Sequence, residues 1–488
     1  VILPEVPDRI LLELGRTEGG PEALAFLARD QDTRRLLLLR AVLDAVAGAD
    51  PALCPADARR RLLEDWALLE AADAAAAADE PVGDMPVAGG PAGSPARVRL
   101  LASLVGAWAQ RCLRGLGTDP ARPGAPQRAR ELRCDLGHFS ALAAAAAARA
   151  GLSFAVRLTA RDGLLVLPSL GALRTAETGD TSVEVAHRGG RLTMRQRGAA
   201  DVVVQVERGT GAWSGAAAWT PAYALPGLTT GAPPTPLDDL DPYRWVQDSV
   251  HHLGLSGPAS LDDAERKRWL HSWSGTAVEL RLGGEQRLLE AVRLLRCLVP
   301  LAAPPGTEPG DCTGTCSGTR REAFGAVLSS APHGPTVLAA TLVHELQHTK
   351  LVALSEAVTL HRADGKKRYF APWRTDPRPY DGLLQGTYSH LALADFFQQR
   401  ALTLTRPADR EAAWAEHARC REQVGAALPA LVGSPDLTVP GRRFVDQMVA
   451  VYERLDEHPA PRGHAVRAQA YVTAARGLFS ARRTPPTE

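Results

Sequence analysis

Apolar and polar positions alternate along this chain in two different rhythms. In "EALAFLARDQDTRRLLLLRAVLDAVAG" (22–48) and "ADARRRLLEDWALLEAADAAAAADE" (56–80) apolar residues return every three to four positions, the spacing of one face of an α-helix. A Pro/Gly-rich loop, "PVGDMPVAGGPAGSPA" (81–96), follows, and the helical rhythm resumes in "RVRLLASLVGAWAQRCLRGL" (97–116) and "LGHFSALAAAAAARAGL" (136–152). From about residue 153 the segments become short, rich in Val, Leu and Thr, and separated by glycine: "FAVRLTA", "GLLVLPSLGAL", "SVEVAHRGGRLTMRQR", "DVVVQVERG". These predict strands, with "AHRGGRLTM" as a hairpin turned by Gly189-Gly190. After the linker-like "TTGAPPTPLDDLDPYRW" (229–245) the pattern is helical to the end. The expectation is a mainly α protein with a small antiparallel β unit, an α+β class. Its parts are an N-terminal helical region 1–152, the β unit 153–228 and a helical core 229–488.

Composition narrows the function classes. A net charge of +1 gives no electrostatic footprint for nucleic acid or an anionic membrane. No apolar run approaches the roughly 18 residues of a membrane span. The opening "VILPEVPDRILLELG" carries acids and no basic stretch, so it does not read as a secretory signal. Seven cysteines at scattered spacings do not form a disulfide framework, which points to a reducing cytoplasm. Lysine occurs at only four positions (267, 350, 366, 367) and asparagine at none, a bias of codon usage, not of function.

The chemistry concentrates in "TLVHELQHTKLVALSEAVTLH" (341–361). A helix can begin at Pro335 and meets neither Gly nor Pro between Thr336 and His361. On it His344 and His348 stand one turn apart, so their imidazoles face the same way and can share a metal ion. Glu345 lies about 100° round the helix, beside the metal but free of it. Two ligands are too few for a catalytic site. Glu356 and His361 lie too far along the same helix. The next long helix, "DGLLQGTYSHLALADFFQQRALTL" (381–404), with Asp381 as its cap, offers His390 and, as a second candidate, Asp395. Between the two helices "KKRYFAPWRTDPRPYDG" (366–382) sets Arg374 and Arg378 among aromatics and three prolines. Arginine grips a carboxylate in a planar fork, so this segment is a candidate carboxylate clamp above the metal.

The stretch "REAFGAVLSS…TLVHELQHTKL…YFAPWRTDPRPYDGLLQGTYSHLALADFF", about 319–400, resembles the actinobacterial HExxH-motif peptide-modification proteins. These act on ribosomally made precursor peptides, and some are fused behind a radical SAM domain, as in FxsB-like maturases. The resemblance implies an iron(II)/2-oxoglutarate-dependent β-hydroxylase. Iron(II) would be held by His344, His348 and His390, with 2-oxoglutarate and O2 in the remaining positions. Arg374 or Arg378 would bind the far carboxylate of the oxo acid, and Glu345 would hydrogen-bond a ligand or a bound water. A radical SAM enzyme, in cis or in trans, is an implied partner beside the precursor peptide. The cysteine cluster of a radical SAM domain is absent, so the chain reads as a standalone member or the C-terminal part of a fusion.

The alternative is a zinc peptidase that trims a precursor, with the same three histidines on zinc and Glu345 as general base. Against it, "TKLVALSE" follows His348 where an H-x-x-G-x-x-H extension would be, and no E-x-x-x-D is evident on the next helix. A third possibility is a peptide-binding scaffold in which the β unit captures a leader by strand addition. His251 and His252 form a weak metal signal, and Cys312 with Cys316 has no assigned role.

Overall fold

A computed structural model describes residues 5–79, 93–118, 125–207, 211–245, 255–303, 316–374 and 376–481. The fold is mainly helical with small sheets, an α+β arrangement.

The N-terminal region comprises α1 (Asp8–Gly15), α2 (Pro21–Gly48), α3 (Ala56–Asp79), α4 (Pro95–Leu100), α5 (Ser103–Leu116) and α6 (Ala125–Arg149). One core joins the second half of α2 to α3–α6, around Trp108 and Phe139, whose rings stack 5.6 Å apart. The alanine run of α6 has a separate task. Ala141, Ala144, Ala145 and Ala148 form a smooth face that lets the β unit approach closely and share a core with Leu158, Val183, Val185 and Met194.

That unit holds two antiparallel sheets. The larger runs β1 (Phe154–Ala160), β4 (Thr181–Arg188), β5 (Arg191–Arg195), β6 (Val202–Val206) and β7 (Ala212–Trp213). The smaller runs β2 (Leu164–Leu167), β3 (Gly171–Arg174) and β8 (Trp219–Pro221). Arg188 pairs with Arg191 across a two-residue turn, and Gly189 and Gly190 both take the positive φ that a tight hairpin needs. The glycine pair in the sequence therefore marks the turn itself.

The remainder departs from an all-helical expectation. Among α7 (Asp263–Leu282), α8 (Glu285–Leu294), α9 (Pro335–Ala357), α10 (Tyr380–Thr403), α11 (Pro407–Val432), α12 (Val439–Arg454) and α13 (Arg462–Ala481) lies a mixed sheet. Its order is β12 (Ser317–Thr319), β13 (Ala326–Ser330), β11 (Cys297–Leu301), β10 (Thr235–Leu237), β9 (Tyr223–Leu225). Every residue of β11 and β13 is buried, so neither shows the alternation that announces a strand. The sheet and helices α7–α12 enclose the largest core, and α1 with the first half of α2 belongs to it too through Leu14, Leu24 and Leu27.

Candidate metal centre

Helix α9 begins where expected, with Gly334 before it and Pro335 in its first turn. It ends at Ala357, not His361, because Val358 turns to extended backbone. Leu338, Leu342, Leu346 and Leu354 fix one face of α9 in the core. The other presents His344 and His348, both half-buried. Their Nε2 atoms lie 3.1 Å apart. Two nitrogens bound to one ion at about 2.0–2.1 Å are separated by about 3 Å, so the pair is spaced as two ligands of one metal would be.

Helix α10 runs beside α9 and brings His390, buried, with its ring 5.3 Å from that of His344. The three rings therefore come together from positions 46 residues apart in sequence (390 − 344). Hydrogen bonds orient two of them. His348 Nδ1 donates to Gln385 Oε1 at 3.1 Å and His390 Nδ1 donates to Gly386 O at 2.8 Å. Each bond holds the ring proton on Nδ1 and leaves Nε2 with its lone pair, the tautomer a metal ligand needs. Trp373 stacks on His390 at 4.4 Å and 20°, which fixes the ring plane. Burial, then the neighbouring His348 and His390, drives His344 well below the ordinary imidazole range. Burial likewise takes His390 down to about 3. Both stay neutral, as ligands must. Among the described residues, no group of three or more His, Cys, Asp or Glu side chains is placed to hold a metal ion as it stands. The His344–His348 pair is assembled and His390 stands beside it.

Glu345 is 2% exposed, and its Oε1 accepts from Ser317 Oγ at 2.7 Å. Its Oε2 is buried with no partner among the described residues. Burial pushes the carboxyl above its usual range, against the opposing pull of His348 and the Ser317 hydroxyl. Ser317, on β12, has no signal in the sequence; only the missed sheet sets it against Glu345.

The remaining candidates take other positions. Arg374 Nε donates to Asp376 Oδ1 at 2.8 Å and Arg378 lies 3.7 Å from the same carboxylate, so both arginines are turned to an acid between them. Trp373 brings the segment against His390, but no contact joins either arginine to the histidines. Asp395 pairs with Arg287 and Arg454, away from the three rings. Asp381 sits in the first turn of α10 after Pro379 as N-cap, and faces His361 at 3.4 Å. Glu356 is held by Gln31 and Arg321. His251, His252 and Cys312 lie outside the described residues. Cys316 is half-buried, with its Sγ 3.7 Å from Ser256 Oγ.

No family model matches this chain, and no curated protein matches it.

Behind the histidine face, α9 is held by charge. Lys350 is buried, and its ammonium donates to Glu290 (2.6 Å) and to the carbonyls of Thr17 and Glu18 (3.1 Å each). Gln347 donates to the other Glu290 oxygen at 3.0 Å, and Arg287 bridges Thr17, Glu290 and Asp395. This network ties the α1–α2 turn, α8 and α10 to the helix that carries the motif. One of the four lysines of the sequence thus braces the site from within. A cavity of about 440 Å³ lies elsewhere, between α2, α4, β10 and α8, and does not touch the histidines. Among the described residues no helix is long and apolar enough to cross a membrane.

Proposed function

We propose that this protein is an iron(II)/2-oxoglutarate-dependent oxygenase that hydroxylates the β-carbon of a residue in a ribosomally made precursor peptide. The observation that supports it is the set of three histidines brought together by two helices, two of them with Nδ1 tied back so that Nε2 is left for a metal. Three neutral ligands leave a dication its full charge and room for a chelating oxo acid, a demand that six-coordinate iron(II) meets and tetrahedral zinc does not. When bound, the iron and oxo acid supply the oxidising power that puts one oxygen atom of O2 into a C–H bond. The protein's own part is to hold and orient. His344, His348 and His390 would bind the metal. Trp373 and the Gly386 carbonyl would keep His390 in plane and in the right tautomer. Glu345, fixed by Ser317, would offer Oε2 to a bound water or to the oxo acid. Arg374 or Arg378 would take the distal carboxylate by exchanging Asp376 for it. A radical SAM enzyme remains the proposed partner in maturation.

The second reading is a zinc peptidase. What favours it is Glu345, buried, raised in pKa and with one oxygen unpaired among the described residues, as a general base would be. One experiment separates the two. Anaerobic addition of iron(II) and then 2-oxoglutarate should give a visible metal-to-ligand absorption band that His344→Ala and His390→Ala abolish. No band, with zinc retained and a precursor cleaved, would establish the peptidase.

A further inference from the structure

Strand β12 is the outermost strand of the mixed sheet, and among the described residues no strand lies beyond it. It pairs antiparallel with β13 in the register Ser317 with Ser329, Gly318 with Leu328, Thr319 with Val327. The amide of Ser330 donates to Cys316 O at 2.9 Å, so residue 316 faces β13 with its backbone groups. Hydrogen-bonding direction alternates along an antiparallel strand, so Gly318 also faces β13, while Ser317 and Thr319 turn their N–H and C=O outward. Neither has a backbone partner among the described residues. All three residues of β12 are half-buried. One face of the strand is shut at Gly318, where an added Cβ would meet Leu255 at 3.0 Å. The other face carries the Ser317 hydroxyl to Glu345, next in sequence to His344.

We propose that this outer edge, unpaired among the described residues, binds an extended peptide, which adds as a strand and pairs its backbone with Ser317 and Thr319. Outward donor–acceptor pairs at every second residue, about 6.8 Å apart, are complemented by another backbone and by no compact small molecule. Register then selects a side chain. Residues opposite each other on neighbouring strands point to the same face. The peptide residue paired with Ser317 therefore projects on the side where Ser317 meets Glu345, and its neighbours on either side project away. The inference rests on the peptide-modifying reading only for what happens to that residue afterwards.

The test uses the full chain without metal, with binding as the readout. A library of random dodecapeptides is selected on the protein by mRNA display, and the recovered peptides are assayed by fluorescence anisotropy. Thr319→Pro removes an outward donor without breaking the β13 ladder, a change an edge strand tolerates, and should weaken binding about tenfold. Peptide N-methylation, which perturbs nothing in the protein, should weaken binding at every second position only. Amide exchange should slow at Ser317 and Thr319 on peptide addition and stay unchanged at Gly318. A library that yields no binder overturns the proposal. So do binders indifferent to Thr319→Pro and to N-methyl position, or protection confined to other segments. Peptide binding at β12 by a chain that gives no band with iron and oxo acid would refute the oxidative reading and leave this inference standing.

Discussion

A single methyl group added at Gly386 should weaken metal binding while costing at most about 2 kcal/mol of stability. Gly386 lies one turn before His390 on α10, and its carbonyl accepts the His390 Nδ1 proton. A Cβ built there would meet the Trp373 ring at 2.4 Å (Cζ2), 2.6 Å (Cε2) and 2.8 Å (Nε1). Ordinary carbon contacts are about 3.5–4.0 Å, so the indole must retreat by about 1 Å or more. Because the ring is rigid and stacked on His390 at 4.4 Å, that retreat removes the surface that holds the imidazole. Gly→Ala within a helix gains about 1 kcal/mol, and overpacking costs about 1–3 kcal/mol. Their difference is a net loss of about 0–2 kcal/mol. Loss of support around a ligand costs about 10–100-fold in metal affinity. The assay is a chelator-competition titration of iron(II) or zinc on Gly386→Ala, beside circular-dichroism melts. In Trp373→Ala the clash is gone, so adding Gly386→Ala to it should change affinity no further. A folded Gly386→Ala protein with metal affinity within about twofold of the parent would refute both the role of Trp373 and the assignment of His390.

Further outcomes follow from the same geometry. Lys350→Met takes the ammonium from Glu290, which keeps Arg287 and Gln347, and leaves the Glu18 carbonyl without its donor, so it should cost about 1–3 kcal/mol, measured as a fall in the urea midpoint. Ser317→Ala leaves a second Glu345 oxygen unpaired and should cost about 1–3 kcal/mol by the same measurement. Glu345→Gln should leave the iron–oxo acid band in place if the carboxylate only orients a ligand; as a general base its loss would abolish peptide cleavage and spare zinc. His390 titrates near 3 when folded and near 6.5 when unfolded, so between those values the unfolded chain binds the extra proton. Chelator-treated protein should therefore lose stability as pH falls from about 6.5 toward 3, by about 1.4 kcal/mol per unit from this group, and His390→Ala should flatten the slope.

The motif helix, the following helix and the β unit are legible because each carries one dominant signal. Pro335 opens α9, the 3.6-residue rhythm runs through it, and Gly189-Gly190 closes a hairpin. The mixed sheet is not legible for a physical reason. "CLVPL" and "AVLSS" are buried on both faces, so they show neither a strand's alternation nor a helix's length. Ser317 is hidden with them, since a lone serine acquires meaning only from the strand that carries it. Arg374 and Arg378 were readable as a pair. The Asp376 between them, in "RTDPR", is equally readable and alters what they hold.

The α1–α2 turn reaches the motif helix through two carbonyls and one ammonium, and that contact bears on how the protein can be taken apart. A fragment cut at the end of the β unit would keep His344, His348 and His390 and lose Thr17, Glu18 and the leucines of α1 and α2. It would be left with a charged Lys350 facing water where the beginning of the chain had been. The protein is threaded so that its first residues finish what its last half starts. Grafting the centre onto another scaffold, or shrinking it by truncation, would need that N-terminal segment carried along as part of the site.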